Sequence, residues 1–199
     1  MKRVTEVAGL VLVLLVFVVG CSSAPDREEA DARAALRRAT EAEAPTFALQ
    51  ELTLAQTEFD RALEEKKRQD ERFRLLRSYG VAKEAFLHSN ELAEGALAAA
   101  QRNRAARADE SGRLLDQAQR AIEACSDTLA GAPPGGGKGV KVDLAIFKDD
   151  ILILAGELET IRPYITAGSF DSADALSLAI SRRATALQEE IISTSRKRR

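Results

Sequence analysis

Tryptophan is absent from the 199 residues, aromatic side chains make up 5%, and the chain has one histidine and two cysteines. So little aromatic bulk excludes a broad aromatic core. A single histidine with two distant cysteines, Cys21 and Cys125, excludes a metal site of the His/Cys type, which needs several converging ligands. A basic excess is also missing. The 29 basic and 31 acidic side chains become 27 and 30 once Lys2, Arg3 and Glu6 are set aside with the N-terminal segment. A nucleic-acid binder needs a basic face to displace phosphate counterions, so no nucleic-acid partner is expected. What is present is alanine, leucine, glutamate and arginine, with 45% hydrophobic and 30% charged residues. That mixture predicts long helices packed through small side chains.

Lys2 and Arg3 precede an almost unbroken apolar stretch from Val7 to Val19. It is shorter than the roughly 20 residues that a membrane span needs, and matches a secretory h-region. The stretch ends in Val18-Val19-Gly20-Cys21, which resembles a lipobox, the cleavage site of bacterial lipoprotein precursors. The resemblance implies cleavage between Gly20 and Cys21, a diacylglycerol on the Cys21 thiol and usually an acyl chain on the new amino group. Each buried methylene contributes about 0.8 kcal/mol, so two or three chains hold a soluble domain durably where one does not. The other reading of the residues is a short uncleaved anchor with an incidental cysteine. Ser22 follows Cys21 where an aspartate is missing. By the same resemblance, this implies sorting to the outer membrane, facing the periplasm.

The expected plan is a signal peptide at 1–20, a lipidated cysteine and tether at 21–25, a helical hairpin region at 26–125, a Gly/Pro-rich linker at 126–142, a C-terminal hairpin at 143–195 and a basic tail at 196–199. Ala32, Ala35, Leu36 and Ala39 recur at helical spacing in a first helix, until Pro45 interrupts it. Thr46 is the expected cap of a second helix over 46–77, with Leu52, Ala55, Phe59, Ala62, Phe73 and Leu76 as its stripe. Lys66 and Gln69 turn that stripe polar, as a coiled-coil-like pairing tolerates. After a turn at Ser78-Tyr79-Gly80, Ala82, Phe86, Leu92, Ala93, Ala96, Leu97 and Ala100 predict a partner helix over 81–124. Residues 101–113 are nearly all polar and read either as solvated helix or as a break. Leu115, Ala118, Ile122 and Cys125 then resume the period.

Beyond Gly131–Gly139, Leu144, Phe147, Ile151, Leu154, Leu158 and Ile161 form another stripe, with Asp143 as its expected cap and Pro163 disturbing its last turn. Gly168 is a stop. Asp171 is expected to cap a last helix carrying Ala175, Leu178, Ala179, Ala186, Leu187 and Ile191. The fold class is therefore all-α: long antiparallel helical hairpins in an elongated, alanine-rich and partly coiled-coil-like bundle.

The run Tyr164-Ile165-Thr166-Ala167-Gly168-Ser169-Phe170-Asp171-Ser172-Ala173 resembles the turn of tetratricopeptide-like hairpins, where a glycine and an aromatic join two helices. Tyr79 with Ala82 and Ala85 is a looser echo. Ala44-Pro45, Glu51-Leu52, Ala55, Phe59, Ala62, Tyr79, Ala82, Leu92-Ala93 and Ala96 resemble an alanine-rich helical domain of bacterial envelope lipoproteins. That family brings no functional residues with it.

Gly135-Gly136-Gly137-Lys138-Gly139 lacks the first glycine and the Ser/Thr of a phosphate-binding loop, so it reads as a flexible connection. His88 reads as the edge of a packed face near Val81, Ala85 and Leu92, without the positioned partner that a catalytic base needs. Cys125 is either a buried thiol or an intermolecular disulfide. Arg196-Lys197-Arg198-Arg199 either attracts anionic headgroups or solubilises a frayed end. Carboxylates alternate with arginines as on solvated helix faces. No catalytic residue, metal or cofactor is expected. The leading expectation is a lipid-anchored, non-enzymatic scaffold that binds an envelope protein. A peptidoglycan-associated role in wall maintenance is the alternative.

Overall fold

The computed structural model describes residues 23–132 and 138–196, with the backbone alone for 138–144. All regular structure among them is helical: α1 (Asp26–Glu41), α2 (Ala44–Phe47), α3 (Leu49–Asp70), a 3-10 turn (Arg74–Leu76), α4 (Gly80–Ala130), α5 (Lys138–Glu159), α6 (Arg162–Thr166) and α7 (Phe170–Arg196). The fold is all-α. It divides into two compact units, one up to Asn103 and one from Arg104 onward, with α4 contributing to both.

The first unit packs α1, α3 and the start of α4 in three layers. Ala32 meets Phe59, Ala62, Ala85 and Phe86; Ala35 meets Ala55 and Ala93; Ala39 meets Leu52, Ala96, Ala99 and Ala100. Residue numbers rise along α1 and α4 while they fall along α3, so α3 runs antiparallel to the other two. A methyl group is the only lateral bulk at most of these positions, which lets the helix backbones approach at the short end of the usual 8–10 Å range. Bulk comes from Phe59 and Phe86, whose rings meet edge-on with centroids 5.5 Å apart. Phe86 is fully buried, so its truncation to alanine should cost about 3–5 kcal/mol.

The connections differ from expectation at both ends of α3. Glu43 takes a left-handed φ of 62° and ends the first helix, and Pro45 then starts the short α2 in a first turn that needs no proline N–H. Thr46 therefore lies inside α2, and Ala48 precedes α3. At its other end α3 stops at Asp70, not at 77. Phe73 and Leu76 consequently leave the stripe and are 71% and 69% exposed.

The polar stretch 101–113 is continuous helix within α4, which runs on to Ala130. In the second unit the core is aliphatic where the first is alanine-rich. Leu115, Ile122 and Cys125 of α4 pack with Phe147, Ile151, Leu154 and Leu158 of α5 and with Ile180, Leu187 and Ile191 of α7. Helix α5 begins at Lys138, so Asp143 sits inside it and not at its start. Pro163 separates α5 from α6, again in a first turn. Gly168, at φ 77°, closes α6 with two bonds typical of a helix stop: its N–H reaches Ile165 O at 3.1 Å, and the Ser169 N–H reaches Tyr164 O at 2.8 Å. Asp171 lies within the first turn of α7, one residue past its start. The buried seam of α7 is Ala173, Ser177, Ile180, Ala184, Leu187 and Ile191, while Ala175, Leu178, Ala179 and Ala186 face outward.

Candidate functional site

Gly20 and Cys21 lie outside the described residues, as do Lys197, Arg198 and Arg199 and most of the Gly/Pro-rich connection. Of the remaining residues singled out by sequence, Cys125 is fully buried and its thiol pKa is pushed up by burial. His88 is an exposed side chain of α4 at the edge next to α3, with Nδ1 at 3.7 Å from Glu58 Oε1, and Val81, two helical turns earlier, is exposed as well. Ala82, Ala85, Phe86 and Ser89 are the residues of this stretch that face the bundle. Among the described residues no group of three or more His, Cys, Asp or Glu side chains is arranged to hold a metal ion. No described helix is long and apolar enough to cross a membrane.

The most organised polar structure in the first unit gathers where α1 begins and α3 ends. Lys66 Nζ donates to Asp26 Oδ1 at 2.6 Å and to Glu29 Oε2 at 2.7 Å, and Lys83 of α4 meets Glu28 Oε1 at 2.9 Å. Burial pulls the Lys66 ammonium pKa down, but the hydrogen bonds to Asp26 and Glu29 outweigh this and leave it above its ordinary value. The hydrogen bond from Lys83 holds the Glu28 carboxyl below the usual carboxylate range. These contacts clamp the first turn of α1, whose acidic residues also suit a helix N-terminus. Pro25, just before it, is fully buried. The chain is thus fixed in place four residues after Cys21.

The adjoining turn is held from inside by polar groups. Buried Gln69 donates to Glu65 Oε1 at 2.8 Å and accepts the Ser78 N–H at 3.0 Å. Arg77 donates to the Arg72 carbonyl at 3.0 Å and the Asp70 carbonyl at 2.8 Å, covering two carbonyls that the end of α3 leaves open. The buried Tyr79 hydroxyl donates to Asp70 Oδ1 at 2.5 Å, and that bond raises the phenol pKa. With its inner side fixed this way, the turn presents Phe73, Leu75 and Leu76 to solvent, together with Arg72 and Arg74.

No family model, curated protein or solved structure matches this chain.

The second unit has its own polar cluster where α6 turns into α7. Arg107 donates to Glu110 at 2.7 Å, Asp171 at 2.9 Å and Asp174 at 3.0 Å, and lies 5.9 Å from the Phe170 ring centroid. The Ser111 hydroxyl donates to Asp174 Oδ1 at 2.5 Å. Arg107 and Ser111 come from the polar stretch of α4, so that stretch is the dock for the start of α7. The residues of the tetratricopeptide-like turn thus pack by charge as well as by Gly168 and Phe170. Further along, Gln117 and Ala121 of α4 and Leu178, Arg182, Thr185 and Glu189 of α7 line a shallow open depression of about 430 Å³. Both clusters have the geometry of helix-docking clamps.

Proposed function

We propose that this chain is a lipid-anchored protein of the bacterial cell envelope, acylated at Cys21, whose helical units act as a non-enzymatic scaffold or protein-interaction module. The observation that carries the reading is the place where the fold begins. Directly after the lipobox-like Val18-Val19-Gly20-Cys21, Pro25 is buried and Asp26 is paired with Lys66. An anchor at Cys21 then holds the first unit close to the bilayer surface. The outer membrane, facing the periplasm, is the expected location, from Ser22 at the sorting position. Surface for a partner protein is available on both units, where Leu49 and Leu54 of α3 and Leu152 and Ile153 of α5 are more than half exposed.

The test is Cys21→Ser in cells. Release from the membrane fraction or stalled processing is expected, with helix content unchanged. Unchanged retention with normal cleavage would overturn the anchor. Site-specific crosslinking from Leu54 and Leu152 should recover one defined envelope protein. Pelleting of the purified protein with sacculi, and no such adduct, would favour direct peptidoglycan binding instead.

A further inference from the structure

We propose that the turn between α3 and α4 is a second membrane contact, in which Phe73, Leu75 and Leu76 enter the interfacial zone of a bilayer while Arg72 and Arg74 bind anionic phospholipid headgroups. The proposal rests on the anchored reading above and assigns the surface that faces the lipid.

Three observations converge on it. First, the turn carries the most concentrated exposed apolar surface of the first unit. Phe73, Leu75 and Leu76 are 71%, 56% and 69% exposed within four residues, and Val81 at the start of α4 is 54% exposed. A sequence ordinarily buries such side chains, and the helical period would have buried Phe73 and Leu76 had α3 continued. The polar contacts of Gln69, Arg77 and Tyr79 end the helix and turn them outward.

Second, the charge around the apolar tip is basic. Arg72 and Arg74 are exposed and alternate with Phe73 and Leu75. Asp70 and Glu71 oppose Arg72, Arg74 and Arg77, so the three arginines outnumber the two carboxylates on the turn, and the Asp70 carboxylate is turned to the Tyr79 hydroxyl. Apolar side chains flanked by arginines fit a surface that is hydrocarbon at depth and phosphate above it, which is how interfacial segments bind. Arginine also matches phosphate geometry better than lysine does.

Third, the tip and the start of the fold lie at the same end of the unit. Lys66 sits one helical turn before the end of α3 and bonds Asp26 and Glu29 of the first turn of α1; Lys83, at the first turn of α4, bonds Glu28. Pro25 lies four residues after Cys21, a stretch that spans at most roughly 14 Å when extended. An acyl chain on Cys21 therefore enters the bilayer beside Phe73, Leu75 and Leu76. The two contacts together set the unit end-on, since a single point of attachment fixes no orientation.

The lack of tryptophan makes the test direct. Full-length Phe73→Trp is reconstituted in vesicles of phosphatidylcholine and phosphatidylglycerol, with Leu54→Trp, exposed toward the opposite end of α3, as the reference and circular dichroism to confirm folding of both. The Phe73→Trp emission is expected to shift to the blue and to be quenched at least about threefold more by brominated lipids than Leu54→Trp. Adding Arg72→Glu and Arg74→Glu, or removing phosphatidylglycerol, should abolish the difference. Water-like emission from Phe73→Trp, equal quenching of both tryptophans, or a blue shift already present without vesicles would each overturn the proposal, the last by pointing to a protein contact. The mass of the N-terminal fragment reports acylation of Cys21 separately. Selective quenching without acylation keeps the tip contact and rejects the anchor, and acylation without selective quenching does the reverse.

Discussion

The side-chain carbonyl of Gln69 accepts the backbone N–H of Ser78 at 3.0 Å, nine residues along the chain and on the far side of the α3–α4 turn. Gln69 is buried, and its amide is spent on Glu65 in the preceding helical turn. One side chain thus joins the end of α3 to the approach to α4. Replacing it with leucine keeps the volume and removes both bonds. Since Ser78 is exposed and water can replace its partner, the loss should be about 1 kcal/mol. Urea denaturation checks this. The midpoint should fall with an unchanged slope, and an unchanged midpoint would mean that the turn holds without Gln69.

Gln69 also shows where the sequence was legible and where it was not. The apolar positions 52, 55, 59 and 62 correctly placed the inner face of α3, because buried methyls and rings leave a helical period. The same period ran on through 66, 69, 73 and 76, and predicted helix to 77. Nothing apolar marks the end of α3, for it is set by Gln69, Arg77 and Tyr79, whose hydrogen bonds leave no trace in hydrophobic spacing. The seam of α7 was legible at Leu187 and Ile191 and missed before them, since Ser177 occupies a buried position and hides the stripe there. The anchor proposed at Cys21 rests on a motif alone, and Cys21 lies outside the described residues.

Two glycines should respond to alanine with opposite signs. Gly95 is exposed in the middle of α4, and a Cβ there would meet nothing within 4 Å. Gly95→Ala should therefore stabilise the protein by about 0.5–1 kcal/mol, through helix propensity and a less flexible unfolded chain. Gly168 has a φ of 77°, and its Cβ would lie 3.5 Å from the Arg104 guanidinium. Gly168→Ala should cost about 1–2 kcal/mol from the left-handed backbone alone. Thermal melts of the two variants on opposite sides of the parent would confirm the assignment; the same sign for both would reject it.

Stability should fall on the alkaline side. Burial raises the pKa of the Cys125 thiol, and the Asp26 and Glu29 bonds outweigh desolvation to raise that of Lys66. Both groups hold their protons more tightly when folded, so their contributions are complete below the unfolded pKa values, about 8.5 and 10.4. They are lost as pH rises through the higher folded values, because the unfolded chain gives up its protons first. Cys125→Ala should flatten the decline that starts near the thiol range, and Lys66→Met the steeper part above it. Urea midpoints measured from neutral to strongly alkaline pH test this, and parallel curves for parent and variants would show that neither group is linked to folding. Cys125 should also resist alkylation in the folded state, with peptide mapping to separate it from Cys21.

Three buried serines separate a paired hydroxyl from an orphan one. Ser89, Ser111 and Ser177 are all fully buried. The Ser89 hydroxyl donates to the Ala55 carbonyl at 2.9 Å, and that of Ser111 to Asp174 Oδ1 at 2.5 Å. Ser177 Oγ has no hydrogen-bond partner. Alanine at 89 should cost about 1 kcal/mol, the net value of a neutral bond, and at 111 about 1.5–3 kcal/mol, because the acceptor is a carboxylate already drawn out of water by Arg107. At 177 the substitution removes a desolvated hydroxyl that gains nothing, and puts the best helix former in a helix interior. Ser177→Ala should therefore be neutral or raise stability by up to about 1 kcal/mol. The order of melting temperatures, 177 above parent or equal to it, then 89, then 111, is the decisive readout. A Ser177→Ala variant as unstable as Ser111→Ala would mean that its hydroxyl is bonded in solution and that the seam of α7 is arranged differently around it.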